Sequence, residues 1–199
     1  MAETSRTIDL RKPPRQARAV AMVETILEAS ARILEAEGLA AFNTNAVAAR
    51  AGASIGSLYQ YFPGKDALLT ALIRRKREGL CAALERAVAS TRDLDTLIDG
   101  LVRAALSHQL ERPRLTASLD YAEAMLPLDA ETRALKLAIV GTVADALAAH
   151  GIAQPHVAAR DLAAMTRGMA DAGGLFGDAD RATLETRLRR AARGYLGLA

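Results

Sequence analysis

Residues 44–68 read TNAVAARAGASIGSLYQYFPGKDAL, and the punctuation of this stretch decides the fold. Asn43 or Thr44 can cap a helix start, because a short side-chain oxygen accepts a free backbone N–H. The spacing predicts a helix through Ala46, Val47 and Ala49 that stops at Gly52. Ser54 is a second cap candidate. The helix behind it carries Gly56, Ser57, Leu58, Tyr59, Gln60, Tyr61 and Phe62. Pro63-Gly64 breaks that helix, since proline offers no N–H and glycine favours a turn. Two short helices joined by the tight turn Ala51-Gly52-Ala53 make a helix-turn-helix.

The second helix of such a unit can stand in a major groove with its N-terminal residues towards base edges. The side chains suit that placement. Ser57 and Gln60 can hydrogen-bond bases or phosphates, and Tyr59 and Tyr61 carry a phenolic tip that can reach a phosphate. Gly56 allows close backbone approach. Thr44 can bond a phosphate beside the free N–H groups of a helix start, and Lys65 can clamp one. Structural readings stand beside these. The rings of Tyr59 and Tyr61 can pack under the following helix, and Ser54 can be a cap alone. Leu58 and Phe62, spaced i, i+4, read as core.

The run from Thr44 to Leu68, extended back through Ile26-Leu27-Glu28-Ala29 and the Gly38 stop, resembles the DNA-binding domain of the TetR family over about residues 15–75. The resemblance implies a homodimer formed by the last two helices, an effector pocket among the middle helices and, more often than not, a repressor. It places contact positions on Thr44, Ser54, Ile55, Gly56, Ser57, Tyr59, Gln60, Tyr61 and Lys65. Ile55 stands where many members carry a basic residue, so an Arg–guanine contact is not available there. Ile55 can instead meet a thymine methyl, and Asn45, at a variable position, can hydrogen-bond a base.

Outward from this segment the pattern stays helical. Val23, Ile26, Leu27, Ser30, Ile33 and Leu34 predict a first helix over about 15–37. Lys65 and Asp66 open a long helix reaching Val88. Further helices run from Asp93 to about Glu111, from Pro113 to Leu126-Pro127 and from an Asp129 cap to His150. Another starts at Pro155 and closes at Gly173-Gly174, and a last one carries Leu184, Leu188, Ala191 and Tyr195. No strand-like alternation or internal repeat interrupts them. The expected fold is all-α with about nine helices. It comprises a basic arm (1–14), a three-helix DNA-binding domain (15–65) and an effector-binding and dimerisation domain (66–199). An apolar share of 51% provides a core, and aromatics at 4% favour helices over sheets.

Residues 1–80 hold twelve Lys/Arg against eight Asp/Glu, and residues 81–199 fourteen against fifteen. The excess sits largely in Arg6, Arg11, Lys12, Arg15 and Arg18, an arm that can reach a polyanion or be a solvated tail. The N-terminus lacks the apolar region of a secretory signal, no apolar run is long enough to span a bilayer, and the single Cys81 allows no internal disulfide. A cytoplasmic location is expected.

In the C-terminal part, His108 continues the face of Leu94, Ile98, Leu101 and Ala105, and reads either as a core histidine or as a polar group in an effector pocket with Tyr121 and Met125. Val157, Leu162, Met165 and Met169, with the small Ala158, Ala164 and Gly168, form one stripe; Leu184, Leu188, Ala191 and Tyr195 form another. The two stripes can build an intermolecular four-helix bundle or face their own core. Thr116, Asp120 and Glu123 read as a solvated face, or as a carboxylate pair that nothing organises for catalysis. His108, His150 and His156 lack metal-ligand spacing, and no cofactor is implied. Cys81 is an inert helix residue or, less simply, a redox switch. Arg187, Arg189, Arg190 and Arg193 read as a solvated outer face rather than a second nucleic-acid surface. The leading expectation is a ligand-responsive regulator of a palindromic double-stranded DNA site, with an unknown small-molecule effector. A small helical enzyme and a non-specific architectural protein are the alternatives.

Overall fold

The computed structural model describes residues 17–176 and 180–198. The basic arm lies outside the described residues. Among those described, nine helices and no strand occur: α1 (Ala17–Ala41), α2 (Thr44–Ala51), α3 (Ile55–Tyr61), α4 (Lys65–Ala89), α5 (Leu94–Leu110), α6 (Pro113–Met125), α7 (Ala130–Ala149), α8 (Pro155–Phe176) and α9 (Arg181–Leu196). Gly38 stops the first helical run of α1, as expected, because its backbone is non-helical. At φ 73° and ψ −172° it kinks the chain, and a short second helical stretch follows it to Ala41. The expected stop at Gly173-Gly174 is passed, because α8 runs on to Phe176.

Side-chain caps set many helix starts. Asn43 begins α2, Ser54 α3, Asp93 α5 and Asp180 α9, each accepting from a backbone N–H in the first turn. Asp129 does the same for α7 by accepting from the Thr132 N–H at 2.7 Å. Pro113 occupies the first turn of α6, where its missing N–H costs nothing.

The chain divides into two compact units. Among the described residues, the first contains 17–75 and 112–133. Its core is built on Ile26 and Leu34 of α1, Phe42, Leu58 of α3, Phe62 and Leu68 of α4, each at most 1% exposed. Burying one such side chain stabilises the fold by about 1.5–3 kcal/mol. Leu119 and Ala122 of α6 join the same core. Arg112, just before α6, holds Glu28 at 3.2 Å and Glu35 at 2.7 Å on α1. A domain boundary at residues 65/66 therefore does not describe the packing: the start of α4 and all of α6 belong with the DNA-binding helices.

Among the described residues, the second unit contains 76–111, 134–176 and 180–198. Ile98 and Val102 of α5, Leu147 of α7, Ala158 of α8, and Leu188 and Ala192 of α9 are buried together. Leu106, Ala170 and Leu184 form a smaller cluster beside Leu110 and Met169. Ion pairs tie α9 to α5: Arg193 lies 3.2 Å from Asp95 and 3.4 Å from Asp99, and Arg189 3.6 Å from Asp99. Arg189 and Arg193 are thus half-buried partners of α5, not members of a solvated outer face. Burial also corrects the reading of α6. Thr116 is buried and Asp120 and Glu123 are half-buried, because this side of the helix faces protein.

Candidate functional site

The turn between α2 and α3 is fixed by its own hydrogen bonds. Gly52 adopts the left-handed conformation, φ 64° and ψ 26°, which only glycine enters at no steric cost. This lets the Gly52 N–H donate to the Ala49 carbonyl at 3.2 Å and the Ala53 N–H to the Ala48 carbonyl at 3.0 Å, a Schellman closure of α2. Two residues later Ser54 starts α3, its Oγ accepting from the Ser57 N–H at 3.0 Å. The hydroxyls of Ser54 and Ser57 are also 2.9 Å apart.

α3 is two-faced. Leu58 is fully buried, and so is Phe62 at its end. Ile55 and Tyr59 are large hydrophobic residues left 39% and 41% exposed. Gly56 and Gln60 are exposed with them, while Ser57 is half-buried. Tyr59 directs its hydroxyl towards α2, where it reaches Thr44 Oγ1 at 3.2 Å, at the helix start. Tyr61 takes the other course and lies half-buried against the core. Asn45 and Ser54 are exposed, and Thr44 is half-buried.

Lys65 is exposed, and its Nζ donates to the Leu39 carbonyl at 3.2 Å and sits 5.8 Å from the centre of the Phe42 ring. An ammonium over an aromatic face is held by the ring quadrupole. The side chain is therefore pinned at the mouth of the α1–α2 linker while keeping its charge at the surface. Arg50, on exposed α2 surface, pairs with Glu37 at 3.2 Å. Sequence reading passed over this second cation of the helix-turn-helix. Its signal was an Arg two residues before the turn glycine.

The second unit holds a cavity of about 80 Å³. Leu80 and Leu84 of α4 line it, as do Ile98, Leu101, Val102 and Ala105 of α5. Ile139, Val140 and Val143 come from α7, and Leu188 and Ala192 from α9. From α8 come Ala159, Leu162, Ala163, Met165 and Thr166. His108, Tyr121 and Met125 are not in this wall. Tyr121 and Met125 belong to the first unit and are 65% and 70% exposed. Periodicity placed them on a face without saying what the face meets. The β-branched run Ile139, Val140 and Val143 was the missed signal.

The residues expected at a dimer interface divide as well. Leu184 and Leu188 are 1% exposed inside their own chain, so neither is available to a partner. Leu162 and Met165 line the cavity, and Met169 packs in the same core. Ala191 is half-buried. Tyr195 is 44% exposed, and its hydroxyl donates to Asp161 on α8 at 2.5 Å. The outward residues of α8 instead include Val157, Arg160, Asp161, Ala164 and Gly168.

Among the described residues no group of three or more His, Cys, Asp or Glu is arranged to hold a metal, and no helix is long and apolar enough to cross a membrane. The Cys81 thiol is pushed up by burial and then by the Glu85 and Glu78 carboxylates, which disfavours the reactive thiolate. His150 sits at the end of α7, with Nδ1 2.9 Å from the Ala146 carbonyl and Nε2 3.1 Å from that of Arg92.

Comparison with known proteins matches residues 26–72 to the model of the tetR family of bacterial regulatory proteins, and residues 93–196 to that of a tetracyclin repressor-like C-terminal domain. The HTH-type transcriptional repressor KstR of Mycolicibacterium smegmatis is 32% identical over 103 residues, which cover 50% of each protein. The HTH-type transcriptional repressor DrrR1 of Streptomyces coeruleorubidus is 35% identical over 78 residues, 37% of this chain and 29% of that one. The chain thus spans half the length of these curated relatives or less. A TetR-family transcriptional regulator from Streptomyces coelicolor superposes with a TM-score of 0.70 at 24% identity, covering 88% of this chain and 95% of that one. The complex of SmeT with triclosan superposes with a TM-score of 0.67 at 22% identity, covering 88% and 91%. With the C-terminal match alone spanning more than half of its residues and the reading head matched separately, this chain belongs to the TetR family of bacterial regulatory proteins.

Proposed function

We propose that the chain is a dimeric transcriptional repressor that binds a palindromic operator through α3 and leaves it when a small molecule fills the α4–α5–α7–α8–α9 cavity. It is a regulator and not an enzyme, and it works in the cytoplasm, where its DNA is. The observation that carries the reading is the division of α3. Leu58 and Phe62 are fully buried, whereas Ile55, Tyr59 and Gln60 are turned outward behind a preformed turn. A helix of seven residues reads only a few base pairs, so two heads on one face of the duplex supply the affinity and specificity.

Ile55, Gln60 and Asn45 are the base-reading candidates, with Gly56 allowing close approach. Thr44, Ser54, Ser57, Tyr59, Tyr61 and Lys65 position the head on phosphates. The arm 1–14 adds contacts to the backbone or minor groove. The partner subunit meets the outward side of α8 and α9, around Ala164, Gly168 and Tyr195, since Leu184 and Leu188 are used internally. The effector acts by preferring a conformation in which the two heads no longer match the operator. α4 runs unbroken from Lys65 to Ala89, so one helix carries both the phosphate clamp and the cavity residues Leu80 and Leu84.

Selection of bound DNA from a random pool tests the whole reading. The expected outcome is one enriched palindrome with half-sites about one helical turn or a multiple apart. Enrichment of no sequence over random DNA would leave only a non-specific architectural role. Ala164→Glu, on the outward side of α8, should convert a sedimenting dimer into a monomer and remove operator binding. A variant that remains dimeric would place the interface elsewhere.

A further inference from the structure

The walls of the cavity define the chemistry of what can enter it. Fifteen of its sixteen lining residues have purely hydrocarbon or thioether side chains, and none carries a charge. The exception is Thr166, which is 8% exposed. Its hydroxyl donates to the Leu162 carbonyl one turn back at 2.8 Å. The proton is therefore committed within α8, and only the oxygen lone pairs are left for a guest. The cavity opens partly to solvent, as the exposed Ala163 in its wall shows, but its apolar walls give water few partners. A carboxylate or ammonium brought against these walls would lose part of its hydration and find no counter-charge among the lining residues, so its entry is disfavoured. A hydrocarbon guest loses no hydrogen bonds on entry.

We propose that this cavity selects an uncharged, mainly hydrocarbon small molecule carrying at most one hydrogen-bond donor, which is presented to the Thr166 Oγ1. The proposal rests on the reading above that this cavity is the effector site. Size follows from the same wall. Ala105, Ala159, Ala163 and Ala192 leave room where larger side chains would meet, and about 80 Å³ suits a compact guest. Met165, with its flexible thioether, can adjust to the guest's outline. Thr166 is the specificity-determining residue: it accepts from a hydroxyl and offers nothing to an anion.

Four probes of one ring size test this on the full-length protein: toluene, phenol, benzoate and benzylamine at neutral pH, where the last two are ions. Binding is read from the carbon-13 methyl resonance of Met165, identified by its loss in Met165→Leu. Toluene and phenol should shift it saturably, with the two ions binding at least tenfold more weakly. Benzoate or benzylammonium binding as tightly as phenol would overturn the proposal, and so would the absence of any shift with both neutral probes. In Thr166→Val the preference for phenol over toluene should fall by about fivefold, the worth of one neutral hydrogen bond. An unchanged ratio would remove Thr166 from the selection. No DNA is present in these titrations, so their failure is distinct from failure of the repressor reading, which would appear as probe binding that leaves operator affinity untouched.

Discussion

The hydroxyl of Thr44 and the phenol of Tyr59 lie 3.2 Å apart, linking the first residue of α2 to the exposed side of α3. Both groups keep a further hydrogen-bonding valence for a phosphate. Tyr59→Phe deletes this link and the phenolic tip while keeping the ring. Operator affinity should fall by about fivefold to tenfold, the worth of one or two neutral hydrogen bonds. Thermal stability should change little, since the side chain is exposed. A gel-shift titration beside a melting curve checks both. Unchanged affinity would show that the pair is structural only.

Lys65 and Ser57 should separate affinity from specificity. Lys65→Ala removes a cation held at the Leu39 carbonyl, and should weaken all sites about equally while lowering the salt slope by about one. Ser57→Ala preserves the cap, because Ser54 accepts from the backbone N–H of residue 57 and not from its side chain. It should change preference among sites with little change in slope. Binding measured on several operators at three salt concentrations discriminates these outcomes. A Lys65→Ala protein with unaltered salt dependence would refute the docking.

Two hydroxyls in the first unit, Ser30 Oγ on α1 and Thr70 Oγ1 on α4, are buried without a hydrogen-bond partner. A buried polar group left unpaired costs about 1–3 kcal/mol. Thr70→Val replaces the hydroxyl by a methyl of similar volume and should raise stability by about 1 kcal/mol. Urea unfolding followed by circular dichroism measures it. A loss of stability would mean that the hydroxyl is paired in solution.

His150 gives stability a pH dependence. Both ring nitrogens face carbonyl oxygens, and only the doubly protonated ring can donate to both. The hydrogen bonds to the Ala146 and then the Arg92 carbonyls raise its pKa above the ordinary 6.5, and the nearby Asp93 carboxylate adds to this. A raised folded-state value means that the stabilisation is fully present below pH 6.5 and is lost as pH rises through the folded value. The ring is solvent-accessible, so salt should reduce the effect. Urea midpoints from pH 5.5 to 8.5 should fall for the parent relative to His150→Gln. Parallel curves would refute it.

The reading head was legible in the sequence because its signals are local. Asn43, Gly52, Ser54 and Pro63-Gly64 each act on the backbone within a few residues, and the i, i+4 pair Leu58 and Phe62 had only one face to bury. The C-terminal assignments were less secure because periodicity reveals that a face is buried, not against what. Leu184 and Leu188 show the same stripe whether the cover is α5 or a second subunit. Thr116 shows the opposite error: a polar stripe on α6 turned out to lie against protein. The arginines of α9 found Asp95 and Asp99 on α5, ninety-odd residues away in sequence, a pairing that no local pattern announces.

The division of α3 has an evolutionary side. Leu58 and Phe62 hold the helix, so their identity is constrained by stability whatever DNA is read. Ile55 and Gln60 bear little of that load, being exposed. On the proposed reading, substitutions at the outward positions accumulate at small cost to folding while altering which operator is preferred. Under the same reading, duplicated copies of such a gene diverge to separate promoters in single steps, with the scaffold and the proposed effector cavity unchanged.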